Sequence, residues 1–330
     1  MAEPDVATKA PEYDAQETAI PGDTPTHTGP GMGEHCTTDR PTPAGLTPKG
    51  ELRKLGGVDV YLTKPEGYPA DPSKLLLLLT GGTGLKSTNN QIQADQYADE
   101  GFVVVMPDLF EGDPAPNSST APGIETHGSS LLDVFKLKAV ETAKSFLIDM
   151  WLARHTEEKV MPLLEKVIDA CNGEFADAVG NGGGIYAIGY CFGGRYVLLL
   201  ASKRSSVHTG WGRTQNHAEG EADAGASLPD EKGPYIKAGA LAHATLVSPD
   251  DFQGLQVPVS LVCVEDDPLF PDDIREAGEG IMSKESVEHE VQVYPGVPHG
   301  FAVVGDYDDA HIKDAQATAF EQMLKWVKGH

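Results

Sequence analysis

Cysteine is scarce in this chain: Cys36, Cys171, Cys191 and Cys263 are the only four in 330 residues. They are too few and too scattered for a disulfide framework. No Cys-x-x-Cys pair or zincin-type histidine spacing suggests a metal, so neither metal nor cofactor is expected. Basic residues are also few, 25 Lys and Arg against 50 Asp and Glu, for a formal charge of −25. Such a chain repels phosphate backbones, which excludes nucleic acid as a partner, and it steers anionic substrates poorly. No apolar run reaches the roughly 18 residues a membrane span needs. The opening "MAEPDVATKAPEYDAQ" lacks the basic-then-apolar layout of a signal peptide, and the closing "WVKGH" matches no retention or peroxisomal signal. A reducing, cytoplasmic setting is the expectation, with no membrane partner.

What is present is core-forming material, at 40% hydrophobic residues. Residues 1–50 do not share it. They are rich in Pro, Thr, Gly and Asp without apolar periodicity, and read as a tail, poorly ordered or draped over a domain formed by 51–330. His27, His35 and Cys36 resemble a metal cluster in type only; a solvated tail is the preferred reading. From Leu55 onward, short apolar runs at 57–63, 74–80, 102–107, 184–190, 238–245, 257–265 and 290–295 read as strands. Helix-like stretches at 89–100, 142–152, 156–171, 192–203, 271–284 and 309–328 lie between most of them. Near-continuous apolar strands separated by helices predict an α/β fold, a mainly parallel sheet covered on both faces. Residues 204–236, polar, Gly-rich and acidic, read as a surface insertion; a solvated loop is preferred to a lid.

One strand-to-helix junction carries chemistry. In "GYCFGG" Cys191 stands between glycines, as a nucleophile does on a strained elbow at the carboxyl edge of a sheet. A helix N-terminus there favours thiolate over thiol, and the Phe192 amide is placed to donate to an oxyanion. Asp266 and Asp267 follow the strand at 257–265, and His299 follows the strand at 290–295. Nucleophile, acid and histidine thus follow three strands in the chain order of an α/β-hydrolase triad. Cys263, within a strand, reads as core, and Cys171 has no visible base.

The stretches "GYCFGGRY", "DPLFP", "PGVPHGFAV" and "VVVMPDLFEGDP" resemble the dienelactone hydrolase family, particularly its fungal branch, over about residues 50–330 apart from the acidic insertion. The resemblance implies an α/β-hydrolase fold and a triad of Cys191, Asp267 and His299, with Asp266 the runner-up acid. "WLARHTEEKV" also resembles a fungal-branch segment and brings Trp151 and His155 toward the substrate. His243 resembles a family position near the site, with a supporting role and plain core packing equally open. Phe110, at the rim beside Asp108, and Phe301, in His-Gly-Phe, complete the pocket candidates. Two departures follow. Gly81 and Gly82 stand where the family usually has an acidic and a bulky apolar residue; Gly82 is assigned the second oxyanion amide, and Gly81 widens the pocket. Val303 and Val304 stand where an arginine often holds a substrate carboxylate, and Arg195 reads as a helix anchor instead.

The expectation is therefore a cysteine hydrolase, monomeric or homodimeric, acting on a neutral lactone, ester or thioester. Three rivals stay open: an esterase or thioesterase using the same residues; a secondary-metabolism accessory enzyme performing cyclisation or acid–base chemistry; and a non-catalytic binding or thiol-sensing protein.

Overall fold

The structure, a computed structural model, describes residues 37–116, 146–205 and 231–330. His27, His35, Cys36 and most of the acidic insertion lie outside the described residues.

The apolar runs become strands β2 (Val58–Thr63), β3 (Lys74–Leu79), β4 (Phe102–Pro107), β5 (Ile185–Tyr190), β8 (Ala238–Ala242), β9 (Val259–Val264) and β10 (His289–Tyr294). A strand without an apolar run, β1 (Glu51–Leu55), joins β2 through Gly56 and Gly57. Both glycines have positive φ, 60° and 83°, as a two-residue hairpin turn requires. One sheet results, in the order β1-β2-β4-β3-β5-β8-β9-β10, with β2 antiparallel to both β1 and β4 and the remaining neighbours parallel. The two-residue strands β6 (Arg204–Ser205) and β7 (Glu231–Lys232) pair antiparallel at the ends of the insertion.

Both sheet faces are buried, which is why the strands read as continuous apolar runs. Leu75, Leu77 and Leu79 face one core, with α2 (Glu157–Glu174) and α4 (Phe192–Ala201). Leu76 and Leu78 face the other, with α1 (Thr88–Asp99) and α6 (Ala310–Gly329). The short α3 (Ala176–Gly182), which no sequence periodicity announced, follows α2; α5 (Asp272–Lys284) lies between β9 and β10. Residues 146–154 are helical. Among the described residues no helix is long and apolar enough to cross a membrane.

Arg195 anchors α4, as its sequence position suggested. Its guanidinium bonds Asp251 through Nε at 3.1 Å and Nη2 at 3.0 Å, and Glu157 at the start of α2 at 3.0 Å. All three side chains are largely buried. Replacing the cation alone leaves two carboxylates without it in a dry setting. Arg195→Met is therefore expected to cost about 3–5 kcal/mol, read as a lower urea midpoint with an unchanged m-value.

Candidate active site

Parallel strands deliver the loops after β3, β5, β8, β9 and β10 to one edge of the sheet, where open α/β sheets bind ligands. Cys191 follows β5 directly and adopts φ 50°, ψ −115°, a conformation side-chain-bearing residues rarely hold. Three backbone bonds pin it: Cys191 N–H to Ala242 O at 3.1 Å, Thr245 N–H to Cys191 O at 3.1 Å, and Gly194 N–H to Cys191 O at 3.0 Å. The flanking glycines answer to the crowding this turn creates. A Cβ at Gly189 would lie 2.4 Å from Gly193 O, and one at Gly193 would lie 2.2 Å from Leu79 O. The junction therefore admits no side chain at either position. α4 begins at Phe192, so the Phe192 amide is a first-turn donor without an intrahelical acceptor.

Asp267 and His299 arrive from the loops after β9 and β10. His299 Nδ1–H donates to Asp267 Oδ2 at 2.7 Å, while Asp267 Oδ1 accepts the Leu269 amide at 2.9 Å. Both side chains are buried, whereas neighbouring Asp266 is exposed. The loop after His299 is tied down by Gln316 Nε2, which donates to the carbonyls of Phe301 at 3.0 Å and Val303 at 2.6 Å. Burial opposes a charge on His299, but its hydrogen bonds to Asp267 and Cys191 and their negative charge prevail, raising its pKa to about 9. With Nδ1 committed to Asp267, the interaction with Cys191 falls to Nε2. The sulfur also approaches Thr245 Oγ1 at 3.9 Å.

Cys191, His299, His243, Gly81, Val303 and Val304 line a common cavity of about 40 Å³. A Cβ at Gly81 would stand 3.1 Å from Cys191 Cβ and 3.6 Å from its sulfur, so any side chain there would press on the thiol. Gly82 offers its carbonyl to the Ala115 amide at 2.8 Å and does not line the cavity.

Several pocket candidates occupy other places. Trp151, Phe110 and His155 do not line the cavity; they stack with one another and against Phe192, at ring separations of 4.8–5.4 Å. Trp151 is fully buried and donates its indole N–H to Asp113 O at 2.8 Å. The cluster packs beside the start of α4, with Trp151 and Phe110 buried and His155 half-buried. Phe301 is likewise core, 5.2 Å from the Tyr294 ring. Cys171 and Cys263 are buried, and burial pushes both thiols up to about 12.

The sequence reading missed one wall. Residues 37–50 cross the domain beside α1 and the loop after His299, and Thr38, Asp39 and Arg40 line the cavity. Pro41 O accepts the Asp306 amide at 2.8 Å, Arg40 O accepts from Asn89 Nδ2 at 2.7 Å, and Arg40 lies over the Tyr307 ring at 5.1 Å. Asp39 is held by the hydroxyls of Ser87 and Thr83. Asn89, Asn90, Thr83 and Tyr307, which carry or flank this segment, complete the missed lining.

An eight-stranded, mainly parallel sheet with helices on both faces and a strained strand-to-helix turn at its carboxyl edge defines an α/β-hydrolase fold. The family model for the dienelactone hydrolase family matches residues 58–212 and 226–330, and the chain belongs to that family. It is similar to the hydrolase pyvD of Aspergillus violaceofuscus, at 28% identity over 280 residues, 84% of this chain and 89% of that protein. A Klebsiella pneumoniae structure described as a dienelactone hydrolase superposes with a TM-score of 0.57 at 16% identity, covering 86% of this chain and 100% of its own. A thermophilic esterase of Thermogutta terrifontis superposes with a TM-score of 0.52 at 16% identity, covering 85% of this chain and 92% of its own.

Proposed function

We propose that the chain is a cysteine-dependent hydrolase that opens a neutral lactone or cleaves a neutral ester through an acyl-cysteine. The observation that carries this reading is the coupling of one buried imidazole, His299, to both Asp267 and Cys191 beside a cavity. A raised His299 pKa favours the imidazolium at neutral pH, and so a thiolate partner. The thiolate attacks the substrate carbonyl, and the Phe192 amide at the start of α4 holds the oxyanion, worth about 3–4 kcal/mol; Gly82, outside the cavity lining, keeps the second-donor role only as the resemblance implies it. When the tetrahedral adduct collapses, the carbon–oxygen bond breaks and His299 protonates the leaving alkoxide. Water then attacks the acyl-cysteine, its proton passes to His299, and the carbon–sulfur bond breaks. Val303 and Val304 line the cavity where the family often has an arginine, which supports an uncharged acyl group; Arg40, the cationic side chain of the lining, lies over the Tyr307 ring. Membership of a hydrolase family and the esterase among its structural relatives agree with the reaction class.

The test is a rate profile over matched pairs of lactones and alkyl esters with and without a carboxylate. The neutral member of each pair is expected to react faster; a consistent preference for the carboxylate would overturn the substrate assignment.

The pH profile follows from the same imidazole. A His pKa raised above 6.5 means that the protonated form is retained up to about 9 and lost above it. Its contribution to stability is complete below pH 6.5 and fades as pH rises through about 9. For an alkyl ester, whose leaving group needs that proton, kcat/KM is expected to fall roughly tenfold per pH unit above this limb. A limb near pH 7 would contradict the assignment.

A further inference from the structure

His243 follows β8 directly, at φ 37°, with its amide bonded to Val262 O at 2.8 Å. Its imidazole is 1% exposed and lies 4.9 Å from the His299 ring at an interplanar angle of 62°. The other rings around it are Tyr190 at 6.0 Å and Phe301 at 6.1 Å, neither of them a hydrogen-bond partner to it. Both of its ring nitrogens are buried without a hydrogen-bond partner. The two histidines line the same cavity as Cys191.

Buried polar atoms in native proteins are almost always satisfied, and an exception points to something that binds there. A neutral imidazole offers one donor and one acceptor. Burial, with His299 adding to it, holds the His243 pKa well below 6.5, which favours the neutral ring at neutral pH. It is a poor base and a good fixed dipole. A cavity of about 40 Å³ exceeds the roughly 10–15 Å³ that one water requires. The partner it accommodates is small and has both an O–H to give and lone pairs to receive.

We infer that His243 is a catalytic residue that holds the hydrolytic water against the acyl-cysteine, accepting one O–H of that water while His299 Nε2 takes the proton from the other. This rests on the acyl-cysteine reading given above. In the step, the water oxygen forms a bond to the acyl carbon and its proton passes to His299. The carbon–sulfur bond then breaks, and its electron pair returns to sulfur as the thiolate that pairs with the imidazolium. His243 neither gains nor loses a proton; it aims a lone pair of the water. Acylation, which consumes no water, does not need it.

The experiment compares wild type, His243→Gln and His243→Phe with p-nitrophenyl acetate in rapid-mixing and quench measurements. Gln retains a donor and an acceptor; Phe retains only the ring. The first-turnover release of p-nitrophenolate is expected to stay within about twofold of wild type in both variants. Steady-state turnover is expected to fall by at least about tenfold in His243→Phe, and by less in His243→Gln. The acetyl adduct on Cys191 should accumulate in intact-mass spectra, and added hydroxylamine, a stronger nucleophile, should restore turnover. Equal losses in the first turnover and the steady state would overturn the proposal in favour of packing, as would turnover unchanged in both variants. Should His243→Phe fail to fold, the split between the two phases in His243→Gln decides alone. A wild type that turns over ester with no adduct on Cys191 refutes the acyl-cysteine reading itself, and this inference with it, a result distinguishable from failure in the variants alone.

Discussion

Replacing Cys191 by Ala is expected to lower kcat/KM for the preferred lactone or ester by about 10⁴-fold or more, with KM little changed. The size follows from position rather than residue type. The other described cysteines are buried thiols with pKa values pushed to about 12, so neither substitutes for it. Cys191 alone occupies the strained turn, at φ 50°, beside His299 and at the start of α4. Alanine keeps the Cβ that the elbow already accommodates, so the thermal midpoint is expected to stay close to that of wild type. Steady-state assays with a thermal scan of the same sample check both halves. Turnover surviving in Cys191→Ala would move the chemistry to His299 acting as an acid–base group, the arrangement a cyclising enzyme would use.

Asp267→Asn is expected to cost about 10³–10⁴-fold in kcat, for a reason the hydrogen bonds supply. Oδ1 of Asp267 accepts the Leu269 amide and Oδ2 accepts from His299 Nδ1. An asparagine keeps its oxygen on the Leu269 amide and so turns its NH₂ toward His299. Nδ1 must then accept, the ring proton moves to Nε2, and the face toward Cys191 can no longer take a proton. The same change removes the carboxylate that helps hold the imidazolium, so the alkaline limb near pH 9 should move toward 6.5. Asp266→Asn, at the exposed neighbour, should leave kcat within about threefold, because solvent screens it. A similar loss at both positions would contradict the geometry.

The parts of this molecule that read clearly from sequence are those held by apolar burial. β3, β4 and β5 are buried on both faces and show as unbroken runs, and the elbow glycines stand out because only glycine survives the close approach at 189 and 193. β1 did not read, since four of its five residues are exposed or half-buried and it is held by pairing with β2. The segment 37–50 reads only as part of a tail, poorly ordered or draped, and its place in the cavity wall does not show, for a related reason. It is fixed by Pro41 O, Arg40 O and the Lys49 amide, which bonds Asp95 at 2.7 Å. Backbone bonds of this kind leave no mark on apolar periodicity. Trp151, His155 and Phe110 are placed near the substrate by resemblance alone; in the structure they pack with one another, and Phe110 and Trp151 pack against Phe192 beside the elbow.

The central claim is a covalent bond between Cys191 and the substrate acyl group. The measurement that tests it most directly is intact-protein mass spectrometry, with peptide mapping, of enzyme quenched within its first turnovers of a p-nitrophenyl ester. The account predicts a mass increase equal to the acyl group, located on Cys191, absent from Cys191→Ala and reversed on standing. Productive turnover with no adduct, or an adduct on any other residue, would contradict it.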